Sequence, residues 1–162
     1  MRYPFSGRVE GWCYAGDAMK NRSVPTDIML PHIVYRNVAE ASVWLSEAFG
    51  FVEHFRYGDP EAPGGAQMHL GEAWIMLSSE RDGRSRPAKM GSWTQSLTIF
   101  IDDVEAHYDR AVSKGAKIVE EPHDTVYGEF QYAAEDLDGH LWIFSRHASD
   151  LSPDEWGATV AP

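Results

Sequence analysis

The sequence predicts an α+β fold built from two copies of one βαβββ module. Three observations carry that expectation. The order strand, helix, three strands occurs twice; each helix opens on an Asn or Asp and closes on a glycine; and matching residues keep a nearly constant spacing. Asn37-Val38 returns as Asp103-Val104 66 residues on, Gly50 as Gly115 at 65, and Trp74-Ile75 as Trp142-Ile143 at 68, with the differences falling in loops.

Residues 1–26 hold Gly7, Gly11, Gly16, Pro4 and Pro25 without a sustained hydrophobic period, and read as an extended arm. The domain proper is expected over 27–147, as modules 27–80 and 94–147 joined by a linker at 81–93. Ile28 to Tyr35 is a strand-like apolar run in which Pro31 points to an edge or a bulge. Asn37 then fits an N-cap and Gly50 a C′ position around Val38, Ala41, Leu45, Ala48 and Phe49, which recur at helical spacing. Phe51 to Tyr57, Ala66 to Leu70 and Ala73 to Ser78 are strand candidates, with Pro60 to Gly65 as a loop and Gly71-Glu72 as a tight turn.

In the second module Ser96 to Ile101 is a strand, and the helix runs from the acidic start at Asp102-Asp103 to Lys114-Gly115. Lys117 to Glu120, Glu129 to Ala134 and His140 to Ser145 supply the remaining strands, with Asp138-Gly139 as a turn. The linker carries four basic residues and reads first as a solvated hinge, second as an anion-binding lid. Residues 148–162 form a tail in which Ser152-Pro153-Asp154-Glu155 signals a short helix.

Composition narrows the function classes. The chain has 162 residues, 43% hydrophobic, with 14 Lys plus Arg against 25 Asp plus Glu and a net charge of −11. That balance repels phosphate backbones, so no nucleic-acid partner is expected. No segment approaches the roughly 18 consecutive apolar residues of a membrane helix, so no membrane partner is expected either. A single cysteine, Cys13, removes intramolecular disulfides and Cys-cluster metal sites, and with no secretory signal pattern at the start the expected location is the cytoplasm. The acidity is first a solubility device and second a weak pointer to a cationic ligand.

Three segments carry a family resemblance: Val38 to Leu45 ending in Phe49-Gly50-Phe51, Ile101 to Ala106 ending in Lys114-Gly115-Ala116, and Glu135-Asp136-Leu137-Asp138-Gly139-His140-Leu141-Trp142. They resemble the glyoxalase, bleomycin-resistance and extradiol-dioxygenase superfamily, the vicinal oxygen chelate proteins. The resemblance implies two modules whose sheets curl around a cleft, often completed by a partner subunit, so a homodimer is expected. It does not fix an activity, because the superfamily holds lyases, isomerases, dioxygenases, thiol transferases and non-catalytic drug-binding proteins.

In metal-dependent members the ligands come from the first and last strand of each module. The corresponding positions here are at or near Leu30, Met76, Ser96 and Ile143, none of them a ligand suited to a catalytic divalent ion. A slip of one residue brings in no His, Asp or Glu either, since the neighbours are Met29, Pro31, Ile75, Leu77, Gln95, Leu97, Trp142 and Phe144. The expectation is therefore a protein without metal or other cofactor. His32, two residues past the first position and on the same strand face, is the one weak metal candidate. With His69 or a carboxylate from a partner subunit it gives the alternative, a glyoxalase-like lyase or isomerase with a relocated site.

Strand parity makes the cleft apolar and aromatic, which suits a small-molecule pocket that grips flat groups. The expected ligand-binding residues are His32, Trp74, Met76, Trp93, Ser96, Phe100, Tyr132 and Ile143, with Trp142 and Phe144 of opposite parity left to the core. The leading function is a small-molecule-binding protein that sequesters an aromatic or cationic compound such as an antibiotic.

Overall fold

The computed structural model describes residues 29–161. The expected arm, with Cys13, lies outside the described residues. The first module consists of β1 (His32–Tyr35), α1 (Val38–Phe49), β2 (Val52–Gly58), β3 (Pro63–Leu70) and β4 (Ala73–Ser79). The second repeats it as β5 (Ser96–Phe100), α3 (Val104–Ser113), β6 (Lys117–Asp124), β7 (Glu129–Glu135) and β8 (Leu141–His147), with a short α2 (Pro87–Met90) between them. Each module makes its own four-stranded sheet, in the orders β1-β4-β3-β2 and β5-β8-β7-β6, so the duplication read from spacing is a duplication of topology. Among the described residues no helix is long and apolar enough to cross a membrane.

Local chemistry sets the element ends. The Asn37 side chain accepts from the Glu40 N–H, and Gly50 stops α1 in the left-handed region at φ +80°. The Asp103 side chain does the same for α3 through the Ala106 N–H at 2.9 Å. Within the described part of the expected run, β1 begins at His32 and not at Met29, because Pro31 has no N–H to give; its carbonyl instead accepts from the Met76 N–H at 2.8 Å. β3 begins at Pro63, so Gly64 and Gly65 belong to the strand and not to the expected loop. A Cβ on Gly65 would collide with the Tyr57 hydroxyl, which lies across the strand there. β6 runs on to Asp124 through two register shifts, which hid its full length from simple alternation. His140 stands outside β8, since its N–H donates to the Asp136 carboxylate and its carbonyl accepts from the Asp136 N–H within the turn. In the tail, Ser152 and Glu155 form a capping box on a 3-10 turn at Pro153–Trp156.

α1 and α3 each cover one face of the sheet of their own module, and they touch each other. The shared core is aromatic: Phe49, at the end of α1, sits 4.8 Å from Phe144 and 5.9 Å from Trp142 between ring centroids, and Phe51 is 5.4 Å from Trp142. Polar contacts fix the modules further. The turn between β7 and β8 docks on β1, where buried Asp136 accepts from the Tyr35 hydroxyl at 2.7 Å, Trp142 Nε1 at 3.0 Å and the backbone N–H groups of Asp138 and His140. Burial pushes the Asp136 carboxyl above the ordinary range, against the pull of His140 and these donors. Asp138 accepts from the Arg36 N–H at 2.7 Å, and His140 Nε2 donates to the Val34 carbonyl at 2.8 Å.

The linker is exposed over most of its length, as expected, but it is anchored rather than a free hinge. Arg86 pairs with Glu80 at 2.9 Å and with Asp138 at 3.1 Å, and the Ala88 N–H donates to the Asp138 carbonyl. A half-buried guanidinium held between two carboxylates ties the segment to the second module's turn.

One buried histidine makes stability depend on pH. His107 Nε2 donates to the Phe49 carbonyl at 2.9 Å while Nδ1 accepts from the Tyr132 hydroxyl at 2.6 Å, an arrangement that needs the neutral ring. Burial is the main cause that lowers its pKa from 6.5 to about 4, with the carbonyl pulling the other way and Arg110 adding to the depression. The unfolded ring thus takes up a proton at a higher pH than the folded one. Stability is complete above the unfolded value and is lost as pH falls towards the folded one. From pH 7 to pH 4.5 the wild type is expected to lose about 2–3 kcal/mol more than His107→Gln in urea unfolding. Parallel losses in the two proteins would refute the assignment.

Candidate functional site

Each sheet has one face under its helix and one open face. On the first sheet the register pairs His32 with Met76, Val34 with Ser78, Met76 with Gln67, and Trp74 with His69, so these side chains share the open face. His69 stacks on Trp74 with centroids 4.7 Å apart and planes 24° from parallel. His54 meets Trp74 edge-on at 5.5 Å, and its Nδ1 donates to Gln67 Oε1 at 2.8 Å. Both rings therefore hold the indole in place, as a pre-organised platform for a flat group.

On the second sheet Ser96 pairs with Leu141, Thr98 with Ile143, and Phe100 with Ser145. Phe100 is 55% exposed even though His147 stacks on it at 4.8 Å, so it presents an aromatic edge to solvent. Beside it Glu129 is already paired with His147 at 2.9 Å.

The structure sorts the expected ligand residues into groups. His32, Trp74 and Met76 lie together on the first open face, and Ser96, Phe100 and Ile143 on the second. One residue of each set borders a cavity, and the two cavities differ. His32 borders one of about 350 Å³, whereas Phe100 borders a groove of about 820 Å³ between the β3–β4 turn and the start of α3. Trp93 belongs to neither; it lines a hollow of about 480 Å³ with Pro87, Ala88, Lys117 and Glu135. Tyr132 is a correction. It is fully buried on the helix face, opposite Phe144 in register and bonded to His107, so it cannot line the open face. Trp142 and Phe144 are core, as parity indicates. The sequence reading missed His54, because its direction depends on a register shift between Glu53 and Phe55. It also missed Tyr57, whose partner Gly65 had been placed in a loop.

The residues present do not fit a divalent metal. Met76 and Ile143 occupy the open faces where imidazole or carboxylate would be needed. His69 is separated from His32 by two strand spacings and two residues, roughly 12 Å between Cα atoms, and its ring is held on Trp74. Among the described residues no three His, Cys, Asp or Glu side chains gather at one point.

Comparison with known proteins agrees with the duplicated topology. The family model described as Glyoxalase/Bleomycin resistance protein/Dioxygenase superfamily matches residues 28–144. Among curated proteins the chain is 26% identical over 152 residues to the uncharacterized protein Rv0887c of Mycobacterium tuberculosis (strain ATCC 25618 / H37Rv), with 90% of this chain and 88% of that one covered. Among solved structures it is similar to TioX from Micromonospora sp. ML1, at 30% identity and a TM-score of 0.62 over 74% of this chain and 97% of that one. It is also similar to TnmS3, an antibiotic binding protein from Streptomyces sp. CB03234, at 18% identity and a TM-score of 0.59 over 76% and 98%. The likeness to TnmS3, at that identity, bears on the fold alone.

Proposed function

Because the chain belongs to the Glyoxalase/Bleomycin resistance protein/Dioxygenase superfamily, whose shared fold does not itself dictate an activity, we propose that it is a small-molecule-binding protein. It works as a homodimer and holds a flat aromatic compound, an antibiotic being the leading example. The observation that carries this reading is Trp74, held by a stacked His69 and an edge-on His54 on the first open face, with Met76 there and Ile143 on the second face standing where metal ligands would be needed. Two copies of the chain would close what one leaves open, the first sheet of one protomer facing the second sheet of the other, so that Trp74 and Phe100 sandwich the ligand. That TnmS3 is an antibiotic binding protein of the same fold supports the reading.

The test uses 2-naphthamide as a neutral flat probe. Calorimetric titration is expected to give one site per protomer of a dimer whose mass is measured by light scattering, and Trp74→Ala is expected to weaken binding about thirtyfold. A monomeric wild type, or unchanged affinity in Trp74→Ala, would overturn the reading.

A further inference from the structure

The first open face is apolar and aromatic at one end only. Along β4 it passes from Trp74 through Met76 to Ser78, and at Ser78 it enters the cavity of about 350 Å³ that His32, Tyr57, Arg81 and Arg84 also line. We propose that this end binds an acidic group, a carboxylate or phosphate, on the same ligand whose ring lies on Trp74. The assignment rests on the ring-binding reading above.

Three observations point to an anion. The first is placement: Arg81 and Arg84 are fixed opposite each other by a two-way backbone bridge, with Arg84 N–H to Arg81 O at 2.8 Å and the reverse at 3.3 Å. Such a bridge delivers two guanidinium groups to one rim. The second is that neither arginine forms an ion pair with a described residue, whereas Arg86 and Lys89 both do. Glu80, the acid in the cavity wall, is already taken by those two cations, at 2.9 and 3.9 Å. The third is the set of polar side chains beneath, none of them a carboxylate. Ser78 and His32 stand on the open face, and the glycine at position 65 gives the Tyr57 ring room to lie across the strand.

The overall charge of −11 points the other way only at long range. On the second open face Glu129 is paired with His147 at 2.9 Å and Glu135 with Lys117 at 3.0 Å, so those carboxylates are not free to hold a cationic ligand. The local balance at the His32 end is positive, and guanidinium forks match carboxylate and phosphate oxygens. Four residue steps along the strand take Trp74 to Ser78, about 13 Å, which sets the span from ring to acid.

The experiment compares three probes with one ring system and a chain long enough for that span, 7-(2-naphthyl)heptanamide, 7-(2-naphthyl)heptanoate and 6-(2-naphthyl)hexyl phosphate, titrated calorimetrically into the full chain at about 0.15 M ionic strength. The two acids are expected to bind about tenfold or more tightly than the amide, and the better of them identifies the acid class. In an R81A/R84A double variant the advantage of the acids disappears while amide affinity stays; both positions are exposed, and circular dichroism verifies the fold. R81K/R84K is expected to restore part of it, since charge returns without the fork. Equal affinity for amide and acids, or an acid preference that survives R81A/R84A, overturns the anion site and leaves the ring site standing. Binding of none of the three probes overturns both.

Discussion

Replacing Asp136 by Ala is expected to destabilise the fold by about 4 kcal/mol or more, read as the midpoint shift in urea unfolding at pH 7. The size reflects how many donors one buried carboxylate satisfies. A side-chain hydroxyl, an indole N–H and two backbone N–H groups all end on Asp136, and alanine strands all four where water is excluded. Asp136→Asn should lose roughly half as much, because its carbonyl oxygen keeps the two backbone donors and its amide can donate to a rotated Tyr35 hydroxyl, while Trp142 Nε1 is left facing another donor. A loss under about 1 kcal/mol in Asp136→Ala would mean that the turn is held by packing alone.

Phe49→Ala is expected to cost about 3–5 kcal/mol, against a typical total of about 5–15. The ring is fully buried where the two modules meet, within 6.0 Å of the Trp44, His107, Trp142 and Phe144 rings. Its removal opens a cavity between modules that no single neighbour can fill, because the His107, Trp142 and Phe144 rings are fixed by other contacts. Phe49→Leu keeps most of the volume and should lose less than half as much in the same unfolding experiment. If the alanine and leucine variants unfold together, the ring's position between modules is not what stabilises them.

Both predictions concern residues whose types were plain in the sequence and whose partners were not. Helix caps at Asn37 and Asp103 and the two-residue alternation of β4 and β8 are local signals, so the duplicated topology and the core assignment of Trp142 and Phe144 could be read directly. Tyr132 could not. Its face is set by register with Phe144 across β7 and β8, a relation that alternation within one strand does not carry. His54 and the end of β6 were hidden by register shifts, which reverse parity partway along a strand. Asp136 sat in a motif recognised by resemblance, yet its role comes from Tyr35, 101 residues earlier. Arg81 and Arg84 read as part of a loose linker because nothing local announces that Arg86 and Ala88, a few residues on, are anchored to Asp138.

The docking of the β7–β8 turn on β1 bears on how the two halves came to depend on each other. β1 is the outermost strand of its sheet, and an outermost strand offers unpaired backbone groups that invite another chain to add on. Here the Val34 carbonyl and the Arg36 N–H are occupied by His140 and Asp138 of the other half. Those side chains act as a cover on an edge that a freestanding 27–80 fragment would leave bare. Such a fragment should therefore self-associate through β1, and the duplicated chain has exchanged the independence of its halves for protection against strand addition.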